Sequence, residues 1–405
     1  MSRRGKIFLV ILAVLTCLCT ACTTKTNPPS AAPITPAASS QQDASSAAPS
    51  DDEPLPQPAL DPQALASSWA EETAKAMSLE ALVGQLFFVR HPDQNALEDL
   101  AEYQFGGYLF FARDFENQTP DSFRALVHEY QQKSSLPLLL GVDEEGGNVV
   151  RVSKFSAFRS EPFPSAQTLF ASGGYDAISD DAAEKSQFLK ALGLNVNFAP
   201  VCDISTDPAD YIYSRAFGQD AEGTSQYVFC VVSAMKEAQI GDVLKHFPGY
   251  GQNTDTHTNV AYDHRSLDEL RQNDLRPFAA GIAAGADSVL VSHNVICAVD
   301  ETMPGSLSAP VHDLLRQELG FEGVILTDDL AMAGSSGFSE ENAAVLAFQA
   351  GNDMVVTTDY KTDIPAVVQA VQDGRLSRST LEQHAQRVLI WKIHLGLIDP
   401  DTFES

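Results

Sequence analysis

Basic residues are scarce in this chain. Its 405 residues hold 26 Lys and Arg against 54 Asp and Glu, a formal charge of −28. So acidic a chain repels phosphate backbones, which excludes nucleic-acid binding as a main function. Cysteine is also sparse. Cys17, Cys19 and Cys22 crowd the start, and Cys202, Cys230 and Cys297 are scattered singly. That is too few for a disulfide scaffold in a chain this long, and beyond the first 22 residues no Cys/His spacing resembles a zinc site. No Gly-x-Gly-x-x-Gly or Walker-type loop occurs, which argues against a nucleotide-binding sheet. The longest early apolar run, Ile7 to Leu15, is too short to make a good membrane span. What remains, 44% hydrophobic and 20% charged, is enough to bury a large core.

The first 22 residues read as an address. Arg3, Arg4 and Lys6 precede the apolar run, which exits through Leu18-Cys19-Thr20-Ala21-Cys22. A basic start, a short greasy stretch and a small-residue exit make a secretory signal. The ending resembles a bacterial lipoprotein signal, which implies removal of residues 1–21 and a lipid on Cys22. The expected location is then extracytoplasmic, anchored to the membrane; a simple secretory signal, with free release, is the alternative. Residues 22–62 are rich in Ser, Ala, Pro, Gln, Thr and Asp. They cannot bury enough surface to offset their ordering entropy, so a disordered tether is expected. A single catalytic domain is expected over residues 63–405.

That region alternates short β-rich runs with helical patterns. The strand candidates are 85–89, 107–111, 136–142, 196–202, 242–246, 288–292, 324–327 and 353–356. The helical candidates are 96–103, 120–133, 180–192, 224–237, 266–284, 309–319, 339–350, 362–373 and a closing 379–395. Near-continuously apolar strands suggest a sheet covered on both faces, and strand-helix alternation makes it parallel. Eight units predict an α/β fold, a (β/α)8 TIM barrel, with an open doubly wound sheet as the alternative.

In such a barrel the chemistry sits at the carboxyl ends of the strands. There the sequence places Asp143-Glu144-Glu145-Gly146-Gly147, Asp203, Lys245-His246, Ser292-His293-Asn294 and Asp328-Asp329. One such residue would be a helix cap; five of eight strand ends argue for an active site. Beyond Lys245-His246 a glycine- and proline-bearing loop leads to Asp255-Thr256-His257. An Asp two residues from a His fixes the ring's tautomer and raises its basicity, which suits a general acid/base.

Lys245-His246-Phe247-Pro248-Gly249-x-Gly251 followed by Asp255-Thr256-His257 resembles the signature of glycoside hydrolase family 3 β-N-acetylglucosaminidases, the NagZ-like branch. The resemblance continues in family order through Asp143-x-Glu145-Gly146-Gly147, Asn197-Phe198-Ala199-Pro200-Val201-x-Asp203, Arg215-Ala216-Phe217-Gly218 and Thr327-Asp328-Asp329-Leu330-x-Met332. It implies a retaining exo-β-N-acetylglucosaminidase acting on small glycans, with cell-wall fragments as the expected source. Asp328 aligns with the nucleophile, His257 with the acid/base and Asp255 with its partner. Asp143, Arg215, Lys245 and His246 align with residues that hold sugar hydroxyls; Asp203 and Met332 match pocket positions. No metal or organic cofactor is implied, and the enzyme is expected to be monomeric. The rivals are a β-glucosidase or phosphorolytic enzyme on the same site, and a lipoprotein that binds sugar without cleaving it. Tyr250 stands where many relatives have His, and Asn148 where many have Arg, which bears on fine substrate preference. Asp329 reads as a structural neighbour or cap, His293 is open between site and scaffold, the remaining histidines read as surface or packing residues, and the three later cysteines as buried thiols, with a disulfide between a pair of them left open.

Overall fold

The computed structural model describes residues 62–251, 260–335, 337–399 and Phe403, all within a unit that runs from Ala59 to Ser405. Eleven strands are found among them: β1 (Phe87–Arg90), β2 (Gly107–Phe110), β3 (Leu139–Val142), β4 (Val196–Asn197), β5 (Gly241–Asp242), β6 (Leu244–Phe247), β7 (Tyr262–Asp263), β8 (Ser288–Val291), β9 (Val295–Ile296), β10 (Val324–Thr327) and β11 (Val355–Thr357). Each of the eight predicted runs contains observed strand. The pair β7 and β9 was not anticipated; two residues each give no period to read.

All pairings between these strands are parallel. One sheet has the order β11-β1-β2-β3-β4-β5 and a second the order β10-β8-β6. Isolated parallel bridges join them at both edges, Val201 to Lys245 and Leu326 to Met354. The arrangement is TIM-barrel-like, but the ladder is not continuous. Pro200 has no N–H to donate, so the predicted strand 196–202 contracts to β4 and a lone bridge at Val201. Strands β2, β3, β6, β8 and β10 are buried at every residue, as a sheet covered on both faces requires.

Gly141 shows how tightly the interior is filled. A Cβ there would sit 2.8 Å from both Phe88 Cζ and Phe198 Cε2. Those two rings meet edge-to-face with centroids 5.2 Å apart. Only glycine leaves β3 room for the pair.

Helices Ala96–Tyr103 and Pro120–Lys133 match their predicted bounds. The helix predicted from residue 180 instead starts at Ala166, capped by Ser165 Oγ accepting from Thr168 N at 3.2 Å. Non-helical backbone at Gly173 and Gly174 breaks its periodicity, so only the second half reads as helix. Two helices before β1, Pro62–Ala76 and Leu79–Gln85, were absent from the sequence reading.

The last helix, Arg378–His394, lies across the amino ends of the strands. His384 Nδ1 bonds Asp353 Oδ1 at 2.7 Å just before β11, and Lys392 Nζ donates to Gln85 Oε1 at 2.8 Å just before β1. Trp391 packs so close to Gly241 that a Cβ on β5 would be 3.0 Å from its indole. This end is plugged, leaving the carboxyl ends of the strands as the open face.

Candidate active site

The polar residues at those carboxyl ends converge on a cavity of about 550 Å³, ordinary for a small-molecule site. Its walls include Asp143, Arg215, Lys245, His246, Asp328 and Met332. Successive strand residues normally face opposite ways. Lys245 and His246 both reach the cavity on β6, where the register with β8 shifts between Leu244 and Phe247.

The polar wall is one connected network. Lys245 Nζ is 2.6 Å from Asp143 Oδ1 and 2.6 Å from Glu145 Oε1. Arg215 grips the same Glu145 with two bonds, Nε to Oε2 at 3.0 Å and Nη2 to Oε1 at 2.7 Å. Burial opposes the ionisation of Glu145, but Arg215 and Lys245 outweigh it and hold the carboxyl well below the usual carboxylate range. Arg215 Nη2 is also 3.2 Å from His246 Nε2. A guanidinium only donates, so Nε2 accepts and the ring proton lies on Nδ1. Nδ1 donates to Asp203 Oδ2 at 2.7 Å.

Asp203 is thus not a wall of the cavity. It is fully buried behind His246, and its Oδ1 accepts from Tyr250 N at 2.6 Å. One carboxylate therefore orients His246 and pins the root of the loop that leads to Asp255 and His257. Those two residues, like Cys22, lie outside the described residues. Tyr250 is buried, its ring 5.5 Å from His246 and 5.7 Å from Tyr211, which faces the cavity at 41% exposure. Asn148 is exposed.

Asp328 follows β10 and faces the cavity, its Oδ1 accepting from Asp329 N at 2.8 Å. A carboxylate held at the rim of a partly desolvated cavity can act as a nucleophile or stabilise a cation. Asp329 also reaches the cavity, but its carboxylate closes a local turn through Ala331 N (3.0 Å) and accepts from Thr358 Oγ1, just after β11, at 3.2 Å. Burial pushes its carboxyl up. His293 is fully buried, its Nε2 donating to Asp329 O at 3.0 Å and its Nδ1 accepting from Ser306 Oγ at 2.7 Å. It supports the backbone beside Asp328. Cys202 is buried, whereas Cys230 and Cys297 are half-buried; all three are free thiols.

Several contributors escaped the sequence reading. Glu145 stood inside a quoted motif without a role. Glu144, fully buried, accepts from Arg151 N (2.8 Å), Val152 N (2.8 Å) and Ser153 N (3.2 Å), and so fixes the loop that carries Arg151 into the cavity. Arg90 and Phe111, at the ends of β1 and β2, line it too. The Asp-Glu-Glu-Gly-Gly run was the available signal for the first two; an arginine ending a strand carries none.

The profile of the glycosyl hydrolase family 3 N-terminal domain matches residues 78–390. The chain belongs to glycosyl hydrolase family 3. Among curated relatives it is 36% identical over 286 residues to a β-hexosaminidase of Stenotrophomonas maltophilia (strain R551-3), covering 68% of this chain and 82% of that one. Among solved structures it resembles a family 3 β-N-acetylglucosaminidase from Paenibacillus sp. FPU-7, with a TM-score of 0.74 and 31% identity. That match covers 80% of this chain and 63% of the longer Paenibacillus chain. It also resembles a β-N-acetylhexosaminidase from Beutenbergia cavernae, with a TM-score of 0.69 and 30% identity, covering 77% and 98%.

Proposed function

We propose that this family 3 hydrolase is a retaining exo-β-N-acetylglucosaminidase built on a (β/α)8 barrel. It would release terminal β-linked N-acetylglucosamine from small glycans, with cell-wall fragments as the natural source. The observation that carries the reading is the placement of Asp328 on the same cavity as the Asp143–Lys245–Glu145–Arg215–His246 network. Hexosaminidase relatives at 36% and 31% identity support the choice of sugar.

In this mechanism the network holds the sugar hydroxyls and Asp328 attacks the anomeric carbon, forming a covalent glycosyl-enzyme. His257, oriented by Asp255, protonates the departing oxygen and then deprotonates the incoming water. A loop-borne acid/base acts when its loop closes over substrate. The chain's first 22 residues would deliver the enzyme to the membrane exterior with a lipid on Cys22.

The deciding experiment compares aryl β-N-acetylglucosaminide with aryl β-glucoside, each with and without phosphate. Preference for the acetamido sugar, with free sugar released in both buffers, supports the hydrolase. A sugar 1-phosphate product would make it a phosphorylase, preference for the glucoside a β-glucosidase, and sugar binding without turnover a binding lipoprotein.

A further inference from the structure

Three large apolar side chains are exposed among the described residues: Tyr211, Phe229 and Tyr262. Of these only Tyr211 lines the cavity. It stands in the loop between β4 and the helix Ala221–Ala238, four residues ahead of Arg215. Single apolar side chains are common on surfaces, so exposure alone says little. The way this ring is held says more. Ahead of it, Asp210 Oδ2 accepts from Ser205 Oγ at 2.8 Å and Asp207 Oδ1 from Ala209 N at 2.9 Å. Behind it, Ile212 is fully buried, and its carbonyl accepts from Arg215 N and Ala216 N, each at 2.9 Å. Gln167 Nε2 ties down the carbonyls of Tyr213 at 2.8 Å and Ala216 at 3.0 Å. A ring on so firm a loop has little freedom left to lose when a ligand covers it.

Beneath Tyr211 is a column of rings. Tyr211 packs on Tyr250, and Tyr250 meets His246 edge-to-face at an interplanar angle of 82°. Exposure drops from 41% at Tyr211 to 2% at Tyr250 and 5% at His246. The column therefore runs from the mouth of the cavity to its floor, where His246, Arg215 and Lys245 are placed to hold the terminal sugar. An exo-acting pocket takes the terminal sugar at its floor, and the rest of the substrate leaves through the mouth. Tyr211 then meets the unit beyond the scissile bond. The place of Asp328 agrees with this. In a retaining enzyme the nucleophile and the leaving group lie on opposite faces of the anomeric carbon. Asp328 follows β10, which is separated from β4 by the broken strand β5–β6 and by β8 one way, and by β3, β2, β1 and β11 the other. Tyr211 and Asp328 thus belong to different walls.

We infer that Tyr211 is a stacking platform for the leaving-group sugar, its ring taking the C–H face of the pyranose just beyond the scissile bond. A pyranose is apolar on its faces and polar around its edge. Stacking removes the C–H face from water while the hydroxyls stay wet, which suits an aromatic ring at a cavity mouth. The enzyme then prefers a sugar to a small alcohol as its leaving group. This rests on the N-acetylglucosaminidase reading.

The test compares N,N′-diacetylchitobiose with methyl β-N-acetylglucosaminide in the wild type, Tyr211→Ala, Tyr211→Leu and Tyr211→Phe. Both leaving groups are alcohols that need protonation, so the comparison isolates the second sugar. Wild-type kcat/KM should favour the disaccharide at least ten-fold. Tyr211→Ala and Tyr211→Leu should cut that preference at least five-fold, chiefly through KM, because neither side chain offers a flat face. Tyr211→Phe should keep it within two-fold. A preference unchanged in Tyr211→Ala or Tyr211→Leu overturns the inference, and so does a loss in Tyr211→Phe as large as theirs, which would assign the effect to the hydroxyl. Calorimetric titration with N-acetylglucosamine and N,N′-diacetylchitobiose separates the two readings. Tyr211-dependent preference for the disaccharide without turnover would keep the platform and sink the hydrolase. Turnover of both substrates in a ratio indifferent to Tyr211 would do the reverse.

Discussion

Asp203 holds His246 twice, its Oδ2 accepting from the ring Nδ1 at 2.7 Å and from the backbone N at 3.2 Å. Its second oxygen holds Tyr250 N, so the ring that faces the cavity and the root of the loop after β6 share one carboxylate. Asp203→Asn keeps the shape but replaces an acceptor with a donor. We expect kcat/KM to fall at least ten-fold, about 1.4 kcal/mol of transition-state stabilisation. Kinetics within two-fold of wild type would show that neither His246 nor the loop root depends on this carboxylate.

Glu145 is the common acceptor of Arg215 and Lys245. Glu145→Gln leaves two buried cations short of their counter-charge, and breaking such a cluster typically costs about 3–5 kcal/mol. The thermal midpoint should drop far more than for Asn148→Ala at the exposed loop tip. Because the folded-state pKa of Glu145 is depressed, its contribution is fully present above the unfolded value near 4.3 and is lost as pH falls below it. The variant should therefore lose less stability than wild type on acidification from pH 5 to pH 3.

Gly141→Ala forces a methyl between Phe88 and Phe198. Overpacking of this kind costs about 1–3 kcal/mol. Phe198→Leu, introduced with it, should restore part of the loss in urea unfolding. Additive losses would place the clash elsewhere.

Lys392 is fully buried with Gln85 as its neutral partner, and burial drives its pKa down to about 7. Between that value and its unfolded value near 10.4, the unfolded chain binds a proton that the folded chain rejects, so stability gains up to about 1.4 kcal/mol per pH unit as pH rises. Below pH 7 the penalty is constant. Lys392→Met should be more stable than wild type at pH 7, with the difference shrinking by pH 9. A constant difference across that range would mean the lysine keeps its proton in the fold.

The eight strand positions were legible because each is a short, largely apolar run, and five of them end in polar or ionisable residues. The two leading helices were missed because their stretch adjoins the polar segment and has weak apolar periodicity. The motif residues were placed by resemblance, and six of them meet in one cavity; Asp203 carries the same sequence signal yet sits behind the wall. Pattern cannot separate a carboxylate that touches a ligand from one that aims its neighbour, because both end a strand. Arg90 and the Glu144 clasp depend on which strands adjoin, and that information is absent from local sequence.

The helix Arg378–His394 has a consequence for the order in which the fold is assembled. Gln85, Gly241 and Asp353 lie at or just before strands made early, midway and late, and all three wait for side chains near the chain's end. Until those residues emerge, Asp353 lacks both His384 and Arg387, and Gln85 lacks Lys392. Vectorial synthesis or export would thus present a set of strands open at its base. Completion would come in a single late step, and a chain cut before residue 378 should be kept unfolded and degraded.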